Sequence, residues 1–169
     1  MSSFIAKCAF SVLLFCGTGT LCPAKDTLNL RVATFQSDVT PPLGHPHYSL
    51  KPLATIEHPL LAKGIVLQDG NRRYVLCAID WCVLSNSSYD LFRRKIAKAA
   101  DTDVSHVAFQ CVHVHTAPVT DADAVKVMRD LKDPPHYIDQ NFLDNVTDRL
   151  AQAVRKSIRN MQPFDSIGT

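Results

Sequence analysis

The sequence predicts an α/β fold: a mixed β-sheet containing a β-hairpin and a βαβ crossover, with helices packed on it, in what reads as an incomplete domain. Three observations carry this. Two β-branched, apolar runs flank an Asp-Gly pair, a helical period then separates two strand-like runs, and a longer helical period closes the chain. With 169 residues, 46% of them hydrophobic, there is material for one ordinary core and not for a second full domain.

The first segment stands apart from the fold. Lys7 precedes the short apolar run "CAFSVLLFCG", and a polar stretch leads to "LCPAKD", which is how a secretory signal reads, with cleavage after Ala24. The run falls short of the roughly 20 apolar residues that span a bilayer, so no transmembrane segment is expected once residues 1–24 are removed. Lipidation at Cys16 or Cys22 is the other use of such a leader, but the bulky Phe15 and Leu21 before them suit it poorly. The expected location is therefore secreted or periplasmic, with residues 25–169 as the folded part.

The elements follow in order. "LRVATFQSDV", residues 30–39, alternates as a strand and stops at "TPPLGHP", whose prolines and glycine force a turn. An irregular His- and Pro-rich stretch runs to about Pro59 and is suited to a loop over a site. "AKGIVLQ" and "RYVLCAID", joined through "DGNR", read as an antiparallel hairpin. From Ser85 the period becomes helical, with Ser87 and Asp90 placed as a capping box and Phe92, Ile96 and Ala99 on one face. "HVAFQCVHVH" then reads as a strand, and the crossover makes the strands ending at Asp80 and His115 parallel. Ile138, Phe142, Val146, Leu150, Val154 and Ile158 recur every four residues, a helix that ends before Pro163. "FDSIGT" opens a further strand at the last residue, which predicts that the sequence continues in a longer parent.

Composition narrows the partners. Lys+Arg 18 against Asp+Glu 16 gives a net charge of +2, and the leader removes one lysine and no acid, so nucleic acid, which needs a basic face, is not an expected partner. Beyond the leader the cysteines are Cys77, Cys82 and Cys111, an odd number in apolar segments. Cys77 and Cys111 have the option of pairing if their strands are neighbours, but buried thiols acting as small hydrophobes are the expected state.

"CVHVHTAP", residues 111–118, carries the chemistry. On a strand, residues two apart share a face, so His113 and His115 would address one point together with Cys111 and Phe109. H-x-H at a strand end presents two ligand nitrogens, or one ligand and one proton-handling group; two histidines hydrogen-bonded at a sheet edge is the plainer use. Asp80 closes the neighbouring parallel strand, where ligands of such sheets bind, and a carboxylate there would orient a metal-bound histidine. Its plainer use is in the turn before the helix. His45, His47, His58, His106 and His136 belong to no motif and are expected on loops or the surface.

Taken together, "SDVTPPLG", "HPLLAKGIVLQDGNRRYVLCAIDWCVLS" and "HVAFQCVHVHTAP" resemble, in order and spacing, the N-terminal catalytic region of neutral/alkaline ceramidases. The resemblance implies a zinc-dependent amide hydrolase that splits a ceramide-like lipid into a fatty acid and a sphingoid base. It makes His113 a Zn2+ ligand and sets His115 facing the substrate or assisting proton transfer. The family completes its zinc site with a further histidine, a glutamate and a tyrosine beyond the position of residue 169. The chain departs from the family at Cys111 and Val114, where threonines are usual, and at "APVTD", where "GPGG" is usual. The alternative is a non-catalytic secreted remnant that binds a metal or a partner.

Overall fold

The computed structural model describes residues 29–136, 138–166 and 168; the predicted signal segment lies outside them. The element order is β1 (Leu30–Asp38), β2 (Leu61–Asp69), β3 (Arg72–Ile79), β4 (Val83–Leu84), α1 (Asn86–Ala100), a 3-10 turn (Val104–His106), β5 (Val107–Cys111), β6 (Val119–Thr120), α2 (Ala122–Met128), α3 (Gln140–Ile158) and β7 (Gln162–Pro163). The mixed sheet has the order β5-β3-β2-β1-β7, and β4 and β6 form a separate parallel pair. This is the predicted α/β architecture. β2 and β3 pair antiparallel, with Gly70 and Asn71 as the turn and Gly70 at φ 56°, while β3 and β5 pair parallel across α1.

One face of the sheet is the core. Alternation puts Ala33, Phe35, Ala62, Val66, Val75, Cys77, Ile79, Val107 and Phe109 inside, where α1 and α3 cover them. Phe35, Gly64, Cys77 and Phe109 lie side by side in this layer. A Cβ at Gly64 would collide with the Phe35 ring and the Leu76 carbonyl, so glycine is what lets that ring lie across β2. α3 presents Leu143, Val146, Leu150 and Val154, all fully buried, and each such side chain contributes about 1.5–3 kcal/mol relative to exposure. Its first turn is capped by Asp139, whose Oδ1 accepts from the Asn141 and Phe142 N–H groups at 2.8 and 3.1 Å.

Several expectations are corrected. α1 has no capping box: Ser85 is its cap residue and makes no side-chain cap bond. Its first turn is satisfied instead by acids at the start of α2, with the Ser87 N–H donating to Asp123 Oδ2 at 2.8 Å and Asn86 Nδ2 to Asp121 Oδ2 at 2.7 Å. The Ser87 bond, then the bonded Lys126, hold the Asp123 carboxyl down at about 2. α2 is an element the sequence reading did not assign. The terminal strand is displaced: residues 164–166 are irregular, and β7 is the short edge formed by Gln162 and Pro163 beside β1. Proline's missing N–H is tolerated there because it sits at a sheet edge.

Candidate metal centre

The predicted strand through His115 stops at Cys111, so strand alternation is not what brings the two histidines together. The parallel ladder continues one bond further, Val112 N–H to the Ile79 carbonyl at 3.0 Å, and then the chain turns at His113, which adopts φ 68°. That left-handed conformation is uncommon outside glycine and costs about 1–2 kcal/mol. It is held by two bonds. The His113 N–H donates to the Trp81 carbonyl at 3.1 Å, and His113 Nδ1 lies 2.9 Å from the Cys82 carbonyl.

The partner segment is anchored from below. Trp81 is fully buried, its Nε1 donates to the Val39 carbonyl at 3.0 Å, and its ring packs against Phe92 and Phe142 with centroids 5.6 and 5.9 Å away. The Cys82 N–H donates to the Pro118 carbonyl at 3.0 Å, just before β4 pairs with β6. Both strand ends are thereby locked into one rim. Because a carbonyl only accepts, the bond to Cys82 requires the hydrogen of the neutral His113 ring to sit on Nδ1, which leaves Nε2 with the lone pair a metal needs.

Three donors converge on this rim. One nitrogen each from His113 and His115 and the sulfur of Cys82 all lie within 4.8 Å of one another. The two rings meet edge to face at 4.9 Å, and His115 stacks on Tyr48 at 4.2 Å with an interplanar angle of 15°. Cys82 is 1% exposed and burial pushes its thiol up, whereas both histidines are exposed. A thiolate with one imidazole ligand and a second imidazole alongside suits zinc, so these residues fit the ion that the sequence resemblance implies.

Asp80 is employed elsewhere. Its Oδ2 accepts from the Leu61 N–H at 2.9 Å while its own N–H donates to the Leu61 carbonyl at 2.9 Å, which ties the end of β3 to the start of β2. It is outside the three-donor cluster. Cys82 is the residue that sequence reasoning passed over, as one of three apolar-segment thiols. The register held the signal: Ile79 opposes Cys111 in a parallel pair, so the residues just beyond, Trp81–Cys82 and His113, must emerge side by side. Tyr48 had no local signal, because its place depends on the long loop folding back, where the Tyr48 N–H donates to the Ala117 carbonyl at 2.9 Å.

That loop also frames a cleft of about 530 Å³ lined by Thr40, His47, Leu53, Ile56, Leu60 and Thr116, the last adjoining His115. The remaining histidines fall mostly as expected, but His45 is on the loop and 4% exposed, with Nδ1 2.8 Å from the Pro46 carbonyl and its ring 4.9 Å from Phe142. Cys77, Cys82 and Cys111 are free thiols. Although β3 and β5 are neighbours, Cys77 faces Phe109 rather than Cys111. Burial raises Cys77 to about 12 and Cys111 to about 11. Among the described residues no helix is long and apolar enough to cross a membrane.

No family model and no curated protein matches the chain. Solved structures do. Neutral ceramidase from Pseudomonas aeruginosa superposes with a TM-score of 0.62 at 17% identity, covering 82% of this chain and 23% of that one. A ceramidase complexed with C2 gives 0.58 at 16% identity, covering 80% of this chain and 22% of that one. The chain spans less than a quarter of the length of either ceramidase, and it shares with that part of them a ceramidase-like fold.

Proposed function

We propose that this chain is the N-terminal, metal-holding portion of a zinc-dependent amide hydrolase of the neutral ceramidase kind, acting on a ceramide-like lipid amide to give a fatty acid and a sphingoid base. The observation that carries the reading is the His113 ring, fixed by the Cys82 carbonyl with Nε2 left for an ion at the carboxyl end of a parallel strand pair. Zinc, when bound, supplies an acidified water and a polarised carbonyl. The protein's own residues do the rest. His113 holds the ion, and His115, oriented by its stack on Tyr48, stands beside it to take or return the proton of the attacking water. The adjoining, largely apolar cleft at Leu53, Ile56 and Leu60 suits a lipid chain. Asp80 acts through position, by fixing the strand end from which Trp81 and Cys82 emerge. Residues 1–24 direct export and are removed, so N-terminal sequencing of the exported protein is expected to begin at Lys25.

The test is zinc titration and hydrolysis of a short-chain N-acylsphingosine by the chain, beside its His113→Ala variant. Stoichiometric zinc binding and slow fatty-acid release, both lost in the variant, are expected; the release is slow because the chain spans less than a quarter of the ceramidases it superposes on. Zinc binding that ignores His113→Ala overturns the reading. A sulfur donor beside the histidines favours one other use of the same scaffold, a non-catalytic metal-binding protein, and tight zinc binding without cleavage of any amide or ester selects it.

A further inference from the structure

We propose that the Cys82 thiolate is a ligand of the same ion as His113, so that this chain holds its metal through sulfur as well as nitrogen. The inference rests on His113 being a metal ligand and adds a donor that the H-x-H motif does not contain. Buried cysteines usually act as small hydrophobes, and Cys77 shows what that looks like here. It is 4% exposed, sits mid-strand in the core layer, and its sulfur reaches only the Ala78 carbonyl at 3.9 Å. Cys82 is different in every respect but burial. Its sulfur lies within 4.8 Å of a nitrogen on each of two exposed imidazoles, and its 3.8 Å approach to His113 Nδ1, the nitrogen engaged by the Cys82 carbonyl, sets it beside the ring rather than on the ligating atom. The residue is also held from both sides, by the Pro118 carbonyl on its N–H and by His113 on its own carbonyl. One residue thus orients the histidine through its backbone and offers a second donor through its side chain, an arrangement that shape-filling alone does not call for.

The chemistry balances simply. The thiol gives its proton to solvent as the sulfur–metal bond forms, and no electron changes hands. A thiolate in the donor set selects zinc, or cobalt as its spectroscopic stand-in, over magnesium and calcium, which prefer oxygen. His115 would keep its place beside the ion.

Cobalt(II) titration of the reduced chain tests this. A sulfur-to-cobalt charge-transfer band in the near ultraviolet is expected at one ion per chain, displaced by zinc and unaffected by magnesium. Cys82→Ser and Cys82→Ala are expected to abolish the band and weaken zinc binding at least about tenfold, while Cys111→Ser keeps both. Where the Cys82 variants fail to fold, the Cys111→Ser spectrum decides the matter, because Cys82 is then the thiol left within reach of both histidines among the described residues. Cobalt bound in a His113-dependent way with no charge-transfer band overturns the thiolate ligand and leaves the hydrolase reading standing. A band that survives Cys82→Ser also overturns it. No binding of either ion sinks both proposals together.

Discussion

His45 and His113 make the same first contact and come to opposite ends. Each sets Nδ1 against a backbone carbonyl, at 2.8 Å from Pro46 and 2.9 Å from Cys82, and each thereby leaves Nε2 as the free acceptor. Around His45 the space is closed: the residue is 4% exposed, Phe142 lies against the ring, and Nε2 is a buried atom with no hydrogen-bond partner among the described residues. Around His113 the space is open and holds a thiol and a second imidazole. The comparison teaches that fixing a tautomer does not make a site. What surrounds the free nitrogen decides whether it is a packing group carrying a polar cost or a ligand waiting for an ion.

The largest expected effect falls on the closed region. Phe142→Ala removes the ring that seals His45 and touches Trp81, and it should cost about 3–5 kcal/mol in denaturant unfolding. A cost near zero would mean that the His45 corner is not core. Changes at His113 should do the reverse, with metal binding falling by about 100-fold, or about 2.7 kcal/mol, on replacement by either alanine or glycine. Stability separates the two replacements. Because position 113 has φ 68°, His113→Gly should be about 1 kcal/mol more stable than His113→Ala, although both lose the ion. Equal melting temperatures would remove the claim of backbone strain.

Proton linkage sharpens the contrast further. Burial lowers the His45 pKa from its ordinary 6.5, helped slightly by the facing His136 and opposed by the Pro46 carbonyl and Asp139. The unfolded chain then binds more protons than the folded one between the lowered value and 6.5, so stability is complete above 6.5 and declines as pH falls through that window. The carboxyls of Asp38, Asp103 and Asp123 are also lowered, but from 3.8, so their contributions fade only in stronger acid. Thermal melts from pH 7.5 to 5 should show a decline that His45→Gln flattens. A slope unchanged by that substitution would assign it elsewhere.

How much of this the sequence revealed depends on whether the cause was local. The β2–β3 hairpin was legible because Gly70 is one of the few residues at home at φ 56°, and α3 because its four-residue apolar recurrence survives into burial. The histidine pair was legible as a motif, yet for a reason that fails, since β5 ends before it and a left-handed turn replaces strand alternation. The cap of α1 was misplaced because its partners, Asp121 and Asp123, arrive from 35 and 36 residues away. Cys82 and Tyr48 were missed on the same ground: one is brought to the site by the register of a parallel pair, the other by a loop, and neither leaves a trace in its neighbours.

Tyr48 supplies the smallest effect and the finest test of where the closed region stops. Its backbone is pinned by the N–H to Ala117 bond, so Tyr48→Ala deletes the stack on His115 without freeing the loop. Tyr48 is 48% exposed, and a stacked aromatic pair adds about 0.5–1.5 kcal/mol beyond its buried area, so a stability loss of about 1 kcal/mol or less is expected. The His115 ring protons should lose their upfield ring-current shift in NMR spectra while those of His45 stay put. A loss on the scale of Phe142→Ala would mean that the core extends out to the rim, and the distinction between a sealed histidine and an available one would have to be drawn farther from the strands.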